Sequence, residues 1–312
     1  MTRYALRRLG ELIVVLAVAV VLSFFAVQFV PGDPVIAMLS DQAGDPVLEA
    51  QLRAQYGLDQ PLWIQFYEYV ENIFNGTFGL SYRFPGVSVV EVIAPGLAVT
   101  PLLAALAMLI SVPLGVVVGC FVAIRHNTWT DTVIIVVLVT GISVPNFALA
   151  TFLVALLAVG LGWLPVGGWG DWQHLVMPVL VLAIPASAYI ARLTRTYMLE
   201  VLQQDFVRTA RAKGLPERLV VYRHALRNVW VPLLTTIGVI FGTLLSGTFV
   251  VETVFNIPGL GRMAIDGIFA RDYPVAMSIV LLFTFFYSFT NLIIDLAYGF
   301  IDPRIRIEEE TR

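Results

Sequence analysis

Six stretches of this chain, Leu12–Val30, Val92–Ile124, Thr132–Gly170, Trp172–Ala191, Asn228–Val251 and Tyr273–Ile294, contain no Asp, Glu, Lys or Arg. The hydrocarbon core of a bilayer is about 30 Å thick and an α-helix rises 1.5 Å per residue, so about 20 apolar residues suffice to cross it. Each window meets or approaches that length; the two overlong ones place their spans near residues 97–124 and 133–161. Backbone amides in lipid must pair within their own segment, and the windows lack the alternation of barrel strands, so the spans are read as helices. The expectation is an all-α membrane protein with six transmembrane helices. Composition agrees, because only 13% of the 312 residues are charged, whereas soluble domains carry about 25%.

Basic residues favour the cytoplasmic side of a membrane. With the N-terminus inside and six crossings, fifteen of the nineteen basic residues fall on cytoplasmic segments, and only Arg53, Arg83, Arg262 and Arg271 lie outside. That asymmetry predicts cytoplasmic N- and C-termini. Arg3, Arg7 and Arg8 followed by an apolar run imitate a signal peptide. The run is longer than a usual h-region and lacks a small-x-small site before Pro31, so it is read as a retained first helix. The resulting division is 1–30 for the N-terminus and first span, 31–96 for an extracytoplasmic segment, 97–301 for a five-helix core, and 302–312 for a cytoplasmic tail. The formal net charge of -3 gives no basic excess for nucleic acid, and one cysteine, Cys120, is read as a small packing residue.

In the outer segment, Asp45-Pro46 has the form of an N-cap followed by a first-turn proline. Pro61 is placed to open a helix carrying Trp63, Phe66, Tyr67, Val70 and Phe74. Such a segment serves either as a cap on the bundle or as a docking surface. Between Arg192 and Arg227, Leu199, Leu202, Phe206, Thr209 or Ala210, and Lys213 recur at helical spacing. Gly214 follows as a C′ residue, Pro216 stops the helix, and Glu217–Val229 can form another. A short amphipathic helix between two spans can transmit a push from a cytoplasmic partner; equally, its basic residues can anchor to anionic lipid at about 1 kcal/mol each. In the loop 252–273, Val254, Phe255, Ile257 and Leu260 surround Ile257-Pro258-Gly259-Leu260-Gly261. These apolar groups either offer a contact or tuck back into the bundle.

The spans hold almost no ionisable residues, which a membrane enzyme or ion-coupled transporter needs. Asp295 near the end of the last span is read as a structural ion pair with Arg192 or Arg195. There is no H-E-x-x-H and no G-x-x-x-x-G-K-[ST], so neither a zinc protease nor nucleotide hydrolysis by this chain is supported. Gly115 with Gly119, and Gly238 with Gly242, allow close helix approach. Pro113, Pro145, Pro178 and Pro185 are expected to kink their helices. Ser246, Thr248 and Asn291 are candidate polar liners of a pathway. An autonomous secondary transporter or channel shares the six-helix count, but the shortage of intramembrane acids disfavours it.

Several ordered stretches carry a more specific resemblance. They are Val30-Pro31-Gly32-Asp33-Pro34, Tyr56-Gly57-Leu58-Asp59-Gln60-Pro61-Leu62 and Gly79-Leu80-Ser81; then D-F-V-R-T-A-R-A-K-G-L from Asp205 to Leu215 and R-H-A-L-R-N from Arg223 to Asn228; then V-E-T-V-F-N-I-P-G-L-G-R from Val251 to Arg262, R-D-Y-P from Arg271 to Pro274 and D-P-R-I-R from Asp302 to Arg306. Spread over nearly the whole chain, they resemble the permease subunits of binding-protein-dependent ABC importers in the dipeptide, oligopeptide and nickel branch, in particular the first, dipeptide-permease-B-like, of the two permeases.

The resemblance implies a type I ABC importer permease fold in a bacterial or archaeal cytoplasmic membrane. It implies a second homologous permease, one or two cytoplasmic ATPase subunits, and an extracytoplasmic solute-binding protein. ATP and Mg then belong to the partner subunits, and this chain carries no cofactor, metal or catalytic residue. The substrate implied is a di- or oligopeptide, with glutathione or a nickel chelate as the alternative. Asp205, Phe206, Arg208, Thr209, Ala210, Arg211, Lys213, Gly214 and Leu215 form the implied coupling helix. The wider superfamily's E-A-A-x-x-x-G pattern is met at Ala210 and Gly214, while Arg208 and Thr209 stand at the glutamate and first alanine positions. A basic contact therefore replaces an acidic one and needs an acidic or carbonyl partner. Phe255, Ile257, Pro258, Gly259 and Leu260, with the 31–96 segment, become the expected surface for the binding protein.

Overall fold

A computed structural model describes residues 2–39 and 45–301; the tail motif from Asp302 onward lies outside them. The order is α1 (Thr2–Gln28), α2 (Pro34–Leu39), α3 (Pro46–Gln55), α4 (Leu62–Phe74), α5 (Val89–Ile124), α6 (Trp129–Ser143) and α7 (Asn146–Leu153), which runs on as a π-helix Val154–Gly160. Then come α8 (Gln173–Leu202), α9 (Asp205–Ala212), α10 (Glu217–Leu219) with a π-helix Val220–Ala225, α11 (Leu226–Val254), α12 (Leu260–Phe269) and α13 (Tyr273–Ile301). Among the described residues the only strand-like pairing is one bridge between Leu80 and Ser88.

Among the described residues, five helices are long and apolar enough to cross a bilayer, and α6 with α7 and its π-helical extension makes a sixth candidate bent by 99°. At 15 residues α6 is about 22 Å long at 1.5 Å per residue, too short to span alone. The break lies at Val144-Pro145, where Val144 is extended at φ -74°, ψ 121°, as a residue preceding proline prefers to be. Pro113, Pro178 and Pro185 instead lie inside continuous helices. In α8 the lost backbone bonds at Pro178 and Pro185 are offset by packing, since 61% of its most apolar window is buried. The first turn of α5 also starts earlier than expected, at Val89 rather than near 97.

The chain divides into two compact units. The first is built on Pro101–Ile257, with the start of α1 and the part of α13 from Phe289. Its centre is α8, packed against α11 and α6. Gly115 and Gly119 make the approach of α5 to α8 possible. A Cβ on Gly115 would lie 2.8 Å from the Ser187 carbonyl oxygen, and one on Gly119 would lie 2.5 Å from that of Ala191. Backbone cannot yield as a side chain can, so Gly119→Ala is expected to destabilise the protein by about 2 kcal/mol, within the range for overpacking. A thermal melt in detergent reads it, and an unchanged melting temperature would contradict the close approach.

The second unit combines Leu9–Thr100 with Pro258–Ser288. One core joins Val89 and Ile93 of α5, Leu260 of α12, and Val275 and Ile279 of α13. Another joins Phe24 of α1, Tyr69 of α4, and Tyr273 and Met277 of α13. The expected caps are present: the Asp45 carboxylate accepts from the Val47 and Leu48 amides, 2.9 and 3.4 Å away, and Pro61 stands at the N-cap of α4.

Candidate coupling and transport site

Helix α8 ends at Leu202, Gln204 turns the chain, and α9 follows as an eight-residue helix. Its C-terminus is closed by a Schellman arrangement: the Gly214 amide donates to the Arg211 carbonyl at 2.9 Å and the Leu215 amide to that of Ala210 at 3.4 Å. Gly214 has φ +74°, a left-handed conformation that a Cβ penalises by about 1–2 kcal/mol. Val207 and Ala210 are buried with Val220, and Leu202 and Leu215 pack around them. This orients the opposite face outward. The Asp205 and Arg208 side chains are 96% and 76% exposed and only 3.6 Å apart, and Phe206, Thr209 and Lys213 are exposed as well.

The turn after α9 is braced by Arg211, which donates to Glu217 through Nη2 at 2.7 Å and Nε at 3.2 Å. Those hydrogen bonds to Glu217 hold the Arg211 guanidinium above its ordinary pKa. Of the expected coupling residues, Arg208, Thr209, Phe206, Asp205 and Lys213 present themselves to solvent. Ala210 instead faces the core, Leu215 is half-buried, and Arg211 is exposed but engaged within the chain.

The loop after α11 corrects an expectation. Phe255 is 1% exposed, Ile257 and Leu260 0%, so these side chains are not a docking surface; burial of their apolar area outweighs presenting it to water. The Phe255 carbonyl accepts from the Gly168 amide at 2.6 Å, and a Cβ on Gly167 would meet that same carbonyl oxygen at 2.5 Å. On α12 the Leu260 amide donates to the Thr100 hydroxyl at 2.8 Å, which fixes the Pro258-Gly259 turn. Val254 at the end of α11, and Ile268 and Phe269 at the end of α12, are exposed.

Sequence reasoning did not find a role for Asp272, although it flagged the motif that contains it. The carboxylate, 2% exposed, accepts from the Ser81 hydroxyl, from the Tyr82 amide at 3.0 Å and from the Arg83 amide at 3.3 Å. It thereby ties Gly79-Leu80-Ser81 to Arg271-Asp272-Tyr273-Pro274. Burial first, and then the Asp272 charge, push the Tyr82 phenol well above its ordinary pKa, keeping it neutral.

A second missed cluster joins α6 to α8. Asp131, 4% exposed, accepts from Arg195 Nε at 2.9 Å and Nη2 at 2.8 Å, from the Asn127 amide at 3.0 Å, and lies 3.3 Å from His126 Nδ1. Arg195 is therefore engaged by Asp131 rather than by Asp295, whose Oδ2 lies 3.3 Å from Arg8 Nε of α1, while the Arg192 guanidinium sits over the Tyr189 ring.

Among the candidate pathway residues, Thr248 is fully buried and its hydroxyl donates to the Leu245 carbonyl at 2.9 Å, so it packs rather than lines an open space. Asn291 lies against Gly238, where a Cβ would come within 2.7 Å of its Oδ1. The side chain of Ser246 is outside the described residues. No group of three or more His, Cys, Asp or Glu that could hold a metal occurs among the described residues.

Long apolar helices, with the short amphipathic helix α9 set between two of them, give the architecture of a multi-pass membrane protein. The chain matches the family of the binding-protein-dependent transport system inner membrane component over residues 115–307, and that system's N-terminal membrane-component family over residues 1–84. It belongs to that family and is a multi-pass inner-membrane permease subunit of an ABC importer. It is 43% identical to the glutathione transport system permease protein GsiC of Salmonella choleraesuis, over 98% of this chain and 99% of that protein. To the GsiC proteins of Shigella flexneri and Escherichia coli K12 it is 42% identical over the same shares. A chain of the MetNI methionine ABC transporter, solved in inward-facing conformations, superposes with a TM-score of 0.60 at 16% identity, covering 68% of this chain and 97% of that one. That likeness gives the type I importer permease fold.

Proposed function

We propose that this chain forms half of the translocation pathway of an ATP-driven importer for glutathione or a closely similar short peptide. End-to-end identity of 42–43% with glutathione permeases carries the reading. The other subunits in this proposal are a second, homologous permease, one or two cytoplasmic ATPases that hold ATP and Mg, and an extracytoplasmic solute-binding protein. Helix α9 is the surface on which an ATPase docks, and the exposed arc of Asp205, Phe206, Arg208, Thr209 and Lys213 supplies its contacts. The binding protein docks on the extracytoplasmic segments 31–96 and 252–273. ATP binding draws the ATPases together, the motion passes through α9 into α8 and α11, and the pathway alternates between its two openings. This chain breaks no bond; it shifts a population, which only differential docking to the two states can drive.

The test is purification from native membrane in mild detergent, identification of what remains bound, and uptake of labelled glutathione by the reconstituted assembly. Recovery of a second permease and an ATPase, with uptake competed by short peptides, is the expected result. Uptake of a nickel chelate but not glutathione would move the substrate assignment to that branch. Recovery of the chain alone, with flux driven by an ion gradient, would overturn the importer assembly.

A further inference from the structure

Helix α4 carries three faces rather than two. At 100° per residue, Phe66, Tyr69 and Ile73 share one face, and these residues pack with Phe24, Val20 and Val27 of α1. Phe66 lies edge-on to Phe24 at 5.2 Å and stacks with Phe25 at 6.1 Å. Gln65, Glu68 and Asn72 occupy another face and line a polar cleft of about 660 Å³ together with Asp33, Arg53 and Tyr56. The remaining face holds Trp63, Tyr67 and Phe74, which are 71%, 64% and 87% exposed, with Val70 between them. Its position is adjacent to the face that packs on α1. The packed aromatic Phe25 is itself 44% exposed, and Phe29, just past the end of α1, is 85% exposed.

We propose that the Trp63–Tyr67–Phe74 stripe of α4 contacts lipid at the membrane–water boundary beside the Gln28 end of α1. Three observations select lipid as the occupant. The stripe adjoins the face of α4 whose Phe66 stacks on the partly exposed Phe25 of α1, a helix long enough to cross a bilayer and with only 11% of its most apolar window buried inside the chain. Tryptophan and tyrosine favour the interfacial layer, where an apolar ring meets water at one edge. The acidic residues Glu68 and Glu71 are displaced from Trp63, Phe74 and Val70 toward the cleft side, so the stripe itself carries no charge. The amphipathic helix thus lies on the boundary with one apolar half against α1 and the other in the headgroup and upper acyl region. The polar cleft opens on its water side.

The experiment places bimane on Tyr67→Cys in a Cys120→Ala background, using the full chain with its copurifying subunits in phosphatidylcholine–phosphatidylglycerol liposomes. Lipids bearing a doxyl group near the top of the acyl chain are expected to quench it at least twofold more than bimane on Glu68→Cys, with aqueous iodide showing the reverse preference. Phe74→Cys provides a second site on the stripe, should the Tyr67 variant fail to assemble. Iodide quenching without lipid quenching at both stripe positions would overturn the proposal. So would shielding from both quenchers, which marks a protein partner on this face.

Discussion

Arg208→Glu is expected to leave the protein folded and inserted while reducing solute-stimulated ATP hydrolysis by the assembled importer at least about tenfold. Structurally the side chain contributes little. It is 76% exposed, and its neighbour Asp205 is 3.6 Å away and 96% exposed, an arrangement worth no more than a few tenths of a kcal/mol. The docking proposal gives it a larger task, because a guanidinium on the outward face of α9 requires an acidic or carbonyl group opposite. Charge reversal sets like charges together at a cost of several kcal/mol, and each 1.4 kcal/mol is a factor of ten. The measurement is ATPase activity with and without loaded binding protein, alongside the melting temperature of the variant. Unchanged stimulation would remove α9 from the coupling role; a fall in both stability and stimulation would assign Arg208 to the fold.

Asp131→Ala is expected to destabilise the protein by about 3–5 kcal/mol, the loss typical when one partner of a buried ion pair is removed and the other charge stays behind. Arg195 keeps a guanidinium only 19% exposed, and the Asn127 amide loses its acceptor. The paired change Asp131→Asn with Arg195→Gln leaves no buried charge and is expected to recover much of the loss. A melt of the two variants beside the parent protein separates the outcomes. A small effect of Asp131→Ala alone would show that water reaches the pair freely. Removing His126 is expected to matter less, since its ring is 44% exposed.

Apolar windows found the spanning helices because length and the absence of charge are local properties. The turn after α9 was legible for the same reason: Gly214 and Pro216 are punctuation that acts on their own backbone. The 99° bend at Pro145 was not separable from Pro178 or Pro185, since every proline removes the same hydrogen bond and only the surroundings decide whether the helix survives. Phe255, Ile257 and Leu260 sit beside glycines in a loop, a pattern that fits an exposed contact as well as a buried one. The Asp131–Arg195 and Asp272–Ser81 contacts join residues 64 and 191 positions apart, and a single sequence carries no sign of such pairs. Asp272 was flagged only as part of a motif, without the reason for it.

The bend at Val144-Pro145 gives the molecule something its composition withholds. Where α6 stops and α7 begins, the last carbonyls of one helix and the first amides of the next lose their intrahelical partners, and two helix dipoles meet at a corner, negative end to positive end. Ser143, Val144, Pro145 and Asn146 at this corner are exposed or half-buried. The corner therefore presents fixed peptide partial charges within 132–170, a stretch that carries no charged side chain. These need no counter-ion and do not titrate, so contacts made there keep the same strength across the pH range in which the protein stays folded.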